Sequence, residues 1–141
     1  MKNAGFTLME ILVALAIAVT LTGVVGLALL PKLQSSKVDA ARLQLAGFRT
    51  ALELYQSDNG VLPTPQQGLA ALVRAPATPP VPARYPEGGY LDKLDVPADP
   101  WGREYAYLVP GPGGKPFDVV CYGSDGEEGG EGAAADLSCW R

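Results

Sequence analysis

An α+β fold is predicted, in which a long N-terminal helix packs on a small antiparallel β-sheet. An uncharged apolar run at residues 11–30 and a regular apolar stripe beginning at Val38 predict the helix. Two β-rich runs near the end of the chain, separated by prolines and glycines, predict the sheet. A helix with one apolar face must bury that face, and one side of such a sheet is the expected place for it.

The apolar run at residues 11–30 predicts a membrane-spanning helix. Its 20 residues carry no charge, and at about 1.5 Å of rise per residue they are about long enough to cross a bilayer core. No Ala-x-Ala cleavage site follows the run, so we expect it to be retained. Pro31 removes a helical hydrogen bond and should kink or interrupt the helix where it leaves the membrane.

The second half of the helix is predicted from spacing alone. Apolar residues follow one another at intervals of 3, 4, 3, 4 and 3, at Val38, Ala41, Leu45, Phe48, Leu52 and Tyr55. We interpret this stripe as the face that packs on the sheet; a coiled-coil seam is the alternative, but the pattern is short for one. Asp58-Asn59-Gly60 is typical of a helix end.

The middle of the chain predicts one short helix and an irregular connection. Thr64, Pro65 and Gln67 form the pattern of an N-cap, a first helical residue and a capping box. They predict a helix over residues 66–74 that buries its leucines and valine. Prolines recur between residues 75 and 86 and exclude regular structure there.

The sheet is predicted from residues 105–109 and 117–121, which are rich in aromatic and β-branched side chains. The intervening Pro-Gly-Pro-Gly-Gly should connect them as an antiparallel hairpin. A turn at residues 99–102 places Trp101 beside the core.

Composition excludes two classes of function. With 141 residues the chain has room for one small domain beside the apolar run. It has no histidine, which removes the usual general base and the nucleophile pairs that depend on it, so an enzyme is not expected. It has 15 acidic and 11 basic residues and no basic patch, so nucleic-acid binding is not expected.

The N-terminal residues carry a specific signal. Gly5-Phe6-Thr7-Leu8 and Glu10 resemble the class III signal of type IV pilins and type II secretion pseudopilins. The resemblance implies that a prepilin peptidase cuts between Gly5 and Phe6, and that Phe6 becomes the N-methylated first residue. Glu10 would then meet the Phe6 amine of a neighbouring subunit, since a carboxylate in lipid needs a partner. Its alternative is a snorkelling acid stabilised by the helix dipole.

Later motifs narrow the resemblance to the major (G-type) pseudopilins of type II secretion. They run in order along the chain: Tyr55-x-x-Asp58-x-Gly60, Leu62-Pro63-Thr64, Gln67-Gly68-Leu69, Gly89-Tyr90-Leu91 and Asp99-Pro100-Trp101-Gly102-x-x-Tyr105. The resemblance implies a type IV pilin-like fold with a short second helix and a C-terminal acidic loop. The expected segments are a leader (1–5), a transmembrane and filament-core helix (6–30), the soluble half of that helix (31–58), a short helix with irregular loops (59–100) and the sheet with its final loop (101–141).

The C-terminal acidic loop, residues 122–140, is the one candidate metal site. It holds five carboxylates among flexible glycines and lacks the spacing of an EF-hand. The resemblance implies calcium, with Asp125, Asp136 and the backbone carbonyl of Tyr122 as ligands. Many relatives carry a further acid where Ala135 stands, and Glu131 is our predicted substitute for it. We expect the remaining two acids, Glu127 and Glu128, to face solvent.

Cys121 and Cys139 bracket this loop. In an oxidising compartment they are expected to form a disulfide, which would close a loop of just under 20 residues and stabilise the fold by about 3 kcal/mol. Three interpretations stay open: calcium with a disulfide, a disulfide in place of calcium, and a merely solvated acidic loop.

The function expected from the resemblance is structural. The chain would polymerise into the pseudopilus, a periplasmic filament that drives folded proteins across the outer membrane. Before assembly it would span the inner membrane once with its soluble domain in the periplasm, and it would meet minor pseudopilins, the inner-membrane assembly platform and the prepilin peptidase. The alternatives are a type IV pilin with a disulfide-bracketed loop, working in adhesion, motility or DNA uptake, and a membrane-anchored calcium-binding module that never polymerises.

Overall fold

Most of the N-terminal part of the described chain is one helix. The computed structural model describes residues 6–141, with side chains for residues 6–20 and 32–141. Helix α1 spans Leu8–Asn59 and includes residue 31, so the predicted interruption at Pro31 is wrong. A proline removes one N–H donor and can kink a helix, but more than 20 helical residues on each side of residue 31 keep the helix continuous across it.

Within the described residues, no helix is both long enough and apolar enough to cross a bilayer. Part of the predicted span, residues 21–30, has side chains that lie outside the description, as does the whole predicted leader, residues 1–5. The chain divides into two compact units, Met1–Ser36 and Lys37–Arg141.

The second unit has its core between the part of α1 that follows residue 36 and the sheet. The predicted apolar stripe is confirmed from Ala41 onward: its five later residues are buried, whereas Val38 is half-buried. They pack with Phe117, Val119 and Cys121 in one cluster. The ring of Phe48 meets Tyr105 edge-on, with ring centroids 5.0 Å apart, which adds a favourable aromatic geometry to the burial.

The sheet has three antiparallel strands in the order β1-β2-β3. Strands β1 (Ala106–Leu108) and β2 (Asp118–Cys121) form the predicted hairpin, shortened by two residues and by one. A 3₁₀ turn at Pro112–Gly114 lies in its connection. Strand β3 (Leu137–Ser138) pairs with the end of β2 and was not predicted, because two residues cannot carry an alternating pattern.

The short second helix differs from its prediction. The capping box forms, since the Thr64 N–H donates to Gln67 Oε1 (3.0 Å) and the Gln67 N–H donates to Thr64 Oγ1 (3.2 Å). The helix that follows is a single 3₁₀ turn, Leu69–Leu72, rather than an α-helix over residues 66–74. Gly68 explains the difference, because its φ of 57° breaks the helical path.

The proline-rich connection is irregular, as predicted. The Gln67 side-chain amide fastens it by donating to the carbonyls of Thr78 (2.7 Å) and Pro80 (3.2 Å). A second attachment joins it to the end of α1, where the Arg84 N–H donates to Asn59 Oδ1 (3.0 Å).

Candidate functional sites at the two ends of the chain

The N-terminal site lies at the start of α1. Thr7 caps the helix, because its Oγ1 accepts a hydrogen bond from the Glu10 N–H at 3.2 Å. This places Glu10 in the first turn, where the positive end of the helix dipole favours a carboxylate. Phe6 is 77 % exposed and Glu10 is exposed as well, so both face away from their own unit. Gly5, the other side of the predicted cleavage bond, lies outside the described residues.

The first turns of α1 have an apolar surface that their own unit does not cover. All described side chains from Phe6 to Thr20 are exposed, including those of Leu8, Ile11, Val13, Leu15 and Ile17. Such a surface is unfavourable in water and marks a place for lipid or for another chain.

The C-terminal acidic loop closes on itself through backbone bonds. The Gly126 N–H donates to the Tyr122 carbonyl (3.0 Å), so this predicted ligand already serves a turn. Asp125 is exposed, and its Oδ1 accepts from the Glu127 N–H at 3.2 Å. The Ser124 N–H donates to the Ala133 carbonyl (2.9 Å), which brings the two ends of the loop together.

Asp136 has an unsatisfied oxygen. Its Oδ2 accepts from the Gly129 N–H at 2.9 Å, whereas its Oδ1 is buried and has no hydrogen-bond partner. Leaving a carboxylate oxygen buried without a partner costs free energy that a cation would recover. Asp136 also lines a groove of about 640 Å³, together with Asp118 and Glu128.

Oxygen ligands of this kind suit calcium, and the unsatisfied Asp136 oxygen fits a cation. Among the described residues, however, no three acidic or cysteine side chains converge as a ready-made metal cluster. Glu131, the predicted substitute for the missing acid, is exposed, as are Glu127 and Glu128. The calcium assignment therefore depends on Asp136, Asp125 and carbonyl oxygens.

The predicted Cys121–Cys139 disulfide is absent, since both cysteines are free and buried. The sheet register gives the reason: Cys121 lies opposite Leu137, and the Cys139 N–H donates to the Val119 carbonyl. The two cysteines are thus diagonal neighbours, and such side chains stand about 7 Å apart, too far for a bond that needs Cβ atoms about 4 Å apart.

Each thiol has a carboxylate partner instead. Cys121 Sγ donates to Asp99 Oδ2 (3.4 Å), and Cys139 Sγ donates to Asp118 Oδ1 (3.3 Å). Burial is the largest cause that raises the pKa of Cys121 to about 11 and that of Cys139 to about 12. Both thiols are therefore protonated and unreactive at neutral pH.

Sequence reasoning missed the contact that Arg103 makes with the acidic loop. Arg103 follows the Asp99-Pro100-Trp101-Gly102 turn, and its guanidinium donates to three loop carbonyls, those of Gly123, Ser124 and Asp125. The motif that precedes it predicts a turn beside the core, and no local pattern indicates a contact 20 residues away.

Two family models match this chain, one at its N-terminus and one over most of the remaining residues. The family model "Type II secretion system (T2SS), protein G" matches residues 28–140, and the prokaryotic N-terminal methylation motif matches residues 1–30. The chain belongs to the type II secretion system protein G family.

Relatives of the protein G family match nearly the whole chain. The type II secretion system core protein G of Vibrio cholerae is 44% identical over 99% of this chain and 93% of its own length. The core protein G of Pseudomonas aeruginosa is 41% identical over 99% of this chain and 96% of its own length. The crystal structure of the major pseudopilin from the type 2 secretion system of enterohaemorrhagic Escherichia coli superposes with a TM-score of 0.64 at 33% identity, over 76% of this chain and 85% of that one.

Proposed function

We propose that this chain is the major structural subunit of the type II secretion pseudopilus. The observation that carries the proposal is the order of the two family matches, a methylation motif at residues 1–30 joined to a protein G domain at residues 28–140. A type IV pilin would share the first match, whereas the second favours protein G. The similar proteins of Vibrio cholerae and Pseudomonas aeruginosa are named core protein G, which supports the same choice.

In the proposed mechanism, residues 6–30 hold the subunit in the inner membrane in a single pass, with the soluble domain in the periplasm. A prepilin peptidase removes residues 1–5 and Phe6 is methylated. The subunit then joins a homopolymer, guided by minor pseudopilins and an inner-membrane assembly platform, and the growing filament drives folded proteins across the outer membrane. The uncharged run at residues 11–30 and the exposed apolar turns of α1 support a helix that moves from lipid to a helical array.

Glu10 is the residue proposed to register one subunit against the next. Its carboxylate is exposed at the start of α1, within a few residues of the end that processing would create. An amine at Phe6 of a neighbouring copy would supply the opposite charge that an acid in an apolar array requires. The pair would form only when two subunits dock at the correct height.

Replacing Glu10 tests the function and this role together. In a type II secretion strain that lacks its own protein G, the unmodified chain should restore filaments and export. Glu10→Ala should be cleaved normally but should not enter filaments, because the Phe6 amine of its neighbour loses its partner. Glu87→Ala is the control, since Glu87 is exposed in the proline-rich connection. Normal filament yield from Glu10→Ala would refute the role, and failure of the unmodified chain to restore export would count against the function.

A calcium ion held by the C-terminal acidic loop is the second part of the proposal. Its ligands would be Asp125, Asp136 and the Tyr122 carbonyl. Glu131 would supply the further carboxylate that is missing at position 135, where this chain has alanine. The unsatisfied, buried Asp136 Oδ1 supports this assignment. When bound, the ion would supply positive charge to a loop that has five carboxylates and no basic residue.

Thermal unfolding of the full chain in detergent tests the calcium site. Calcium should raise the midpoint of the unmodified chain relative to chelator, and Asp136→Asn should remove the response because it discharges the carboxylate. Glu127→Gln is the matched control, since it removes one charge from the same loop at an exposed position. If calcium does not change the unfolding midpoint of the unmodified chain, the calcium site is refuted and the acidic loop is only a solvated surface.

A further inference from the structure

We infer that Arg103 is a built-in cation that holds the C-terminal acidic loop in place without metal, and that the Asp99–Arg103 turn exists to aim it. This inference goes beyond the proposed function, since neither the pseudopilus nor the calcium site requires it. The Asp99–Arg103 turn would then do more than place Trp101 beside the core.

The turn fixes the backbone of Arg103 at both of its polar groups. The Arg103 N–H donates to Asp99 Oδ1 at 2.8 Å, and the Arg103 carbonyl accepts from the Asp99 N–H at 2.8 Å. The same Asp99 oxygen accepts from the Trp101 N–H at 2.9 Å, which closes the turn between them. Asp99 is only 6% exposed, so these bonds are shielded and the starting point of the Arg103 side chain is well defined.

The guanidinium then spans three consecutive carbonyls. Arg103 Nη1 donates to the Gly123 oxygen at 3.0 Å, and Nη2 donates to those of Ser124 and Asp125 at 3.2 and 3.1 Å. Hydrogen bonds from a charged donor are stronger than neutral ones, and the planar fork of arginine serves several acceptors at once. The loop itself has no basic residue, so this positive charge must come from outside it.

Gly126 leaves room for the Arg103 side chain. A Cβ at this position would lie 2.6 Å from Arg103 Nε and 2.7 Å from its Cζ, so the arginine side chain would have to move away. The φ of Gly126 is +76°, a conformation that also favours glycine. Backbone shape and arginine position therefore require the same residue.

Arg103 and the proposed calcium ion would use different oxygens. Arg103 takes the carbonyls of residues 123–125, whereas calcium would take the Tyr122 carbonyl and the side chains of Asp125 and Asp136. Because the two sets of oxygens do not overlap, neither cation needs the other to be in place. The two proposals can consequently fail independently.

Hydrogen exchange of the full chain in detergent, with chelator present, tests the inference. The readout is the rate for peptides covering residues 122–136, compared with peptides from the soluble half of α1. Arg103→Gln should exchange about tenfold faster in the loop alone, because three charge-assisted bonds are lost. The loop exchange rate of Arg103→Lys should lie between those of the unmodified chain and Arg103→Gln. A lysine ammonium keeps the positive charge but lacks the planar set of N–H donors that arginine has. Arg74→Gln is the control: the Arg74 side chain is 77% exposed and has one ion pair, at 3.6 Å from Asp95.

Gly126→Ala supplies a second route that keeps the arginine. Its new methyl group should displace the guanidinium and speed loop exchange as Arg103→Gln does, and Arg103→Gln should add little to it. Wild-type exchange rates in the loop of Arg103→Gln, or of Gly126→Ala if Arg103→Gln does not fold, would overturn the inference. Adding calcium afterwards tests the metal site alone, since the chelator measurement has already decided the role of Arg103.

Discussion

At the scale of single residues, the cysteines show where sequence reasoning stops. Their spacing around an acidic loop predicted a disulfide, and both do have buried side chains where β2 and β3 meet. In the pairing of β2 with β3, Cys121 lies opposite Leu137, two residues before Cys139. This register sets the distance between the cysteines, and their spacing along the chain does not indicate it. Each thiol instead contributes a hydrogen bond to a carboxylate that the fold has buried, Asp99 or Asp118.

The two buried thiols predict that the free energy of unfolding falls at alkaline pH. Burial raises the pKa of Cys121 to about 11 and of Cys139 to about 12, above the ordinary value of 9.0. Their contribution to stability is therefore complete below pH 9 and is lost as pH rises through these values. The free energy of unfolding from urea titrations should fall between pH 9 and 11, and less steeply in a Cys121→Ala, Cys139→Ala double variant. Equal slopes for the two proteins would contradict the assignment.

At the scale of elements, the helix was predictable and the small elements were not. The apolar stripe of α1 between Ala41 and Tyr55 repeats often enough to show its period, and its buried face is the one that the spacing indicated. The 3₁₀ turn Leu69–Leu72 and strand β3 have four and two residues, too few for a period. Their form depends on Gly68 and on pairing with β2, so contacts with the rest of the domain decide it.

Two glycine substitutions should move stability in opposite directions. Gly47 lies inside α1 with open space where an alanine methyl group would stand, so Gly47→Ala should raise the free energy of unfolding by about 0.5–1 kcal/mol. Gly111 has an ordinary φ, but a Cβ there would lie 2.4 Å from the Phe117 carbonyl oxygen. Gly111→Ala should lower the same quantity by about 1–3 kcal/mol.

Urea titration of the two variants beside the unmodified chain measures both effects. A stabilised Gly111→Ala protein would show that the hairpin connection has room that the structure does not give it. A destabilised Gly47→Ala protein would show that the outer face of α1 makes contacts beyond those within the second unit.

At the scale of the whole molecule, the sequence predicted the family, but it missed Arg103, which places a positive charge against the acidic loop. The residues of the N-terminal signal lie next to one another, at positions 5–10, so the signal can be identified from the sequence alone. Arg103 reaches its three acceptors 20 to 22 residues further along the chain. Such a contact exists only once the turn and β2 have brought the segments together, so neither segment indicates it alone.

The second unit should fold by itself. Its core cluster draws all of its members from residues 41–140, which lie within Lys37–Arg141. A fragment of residues 37–141 is therefore expected to unfold in one cooperative thermal transition, visible in the fluorescence of Trp101 and Trp140, because both pack against that core. A gradual change without a transition would mean that the first unit is needed to complete the fold.

The three-stranded sheet has outer strands of three and two residues, β1 and β3. Edges this short offer a neighbouring chain too few N–H and C=O groups to add a strand, which is a common protection against edge-to-edge aggregation. Subunits at high density are therefore protected from joining their sheets into a continuous cross-β ladder. Neighbouring subunits would then meet through side chains rather than through a shared backbone ladder.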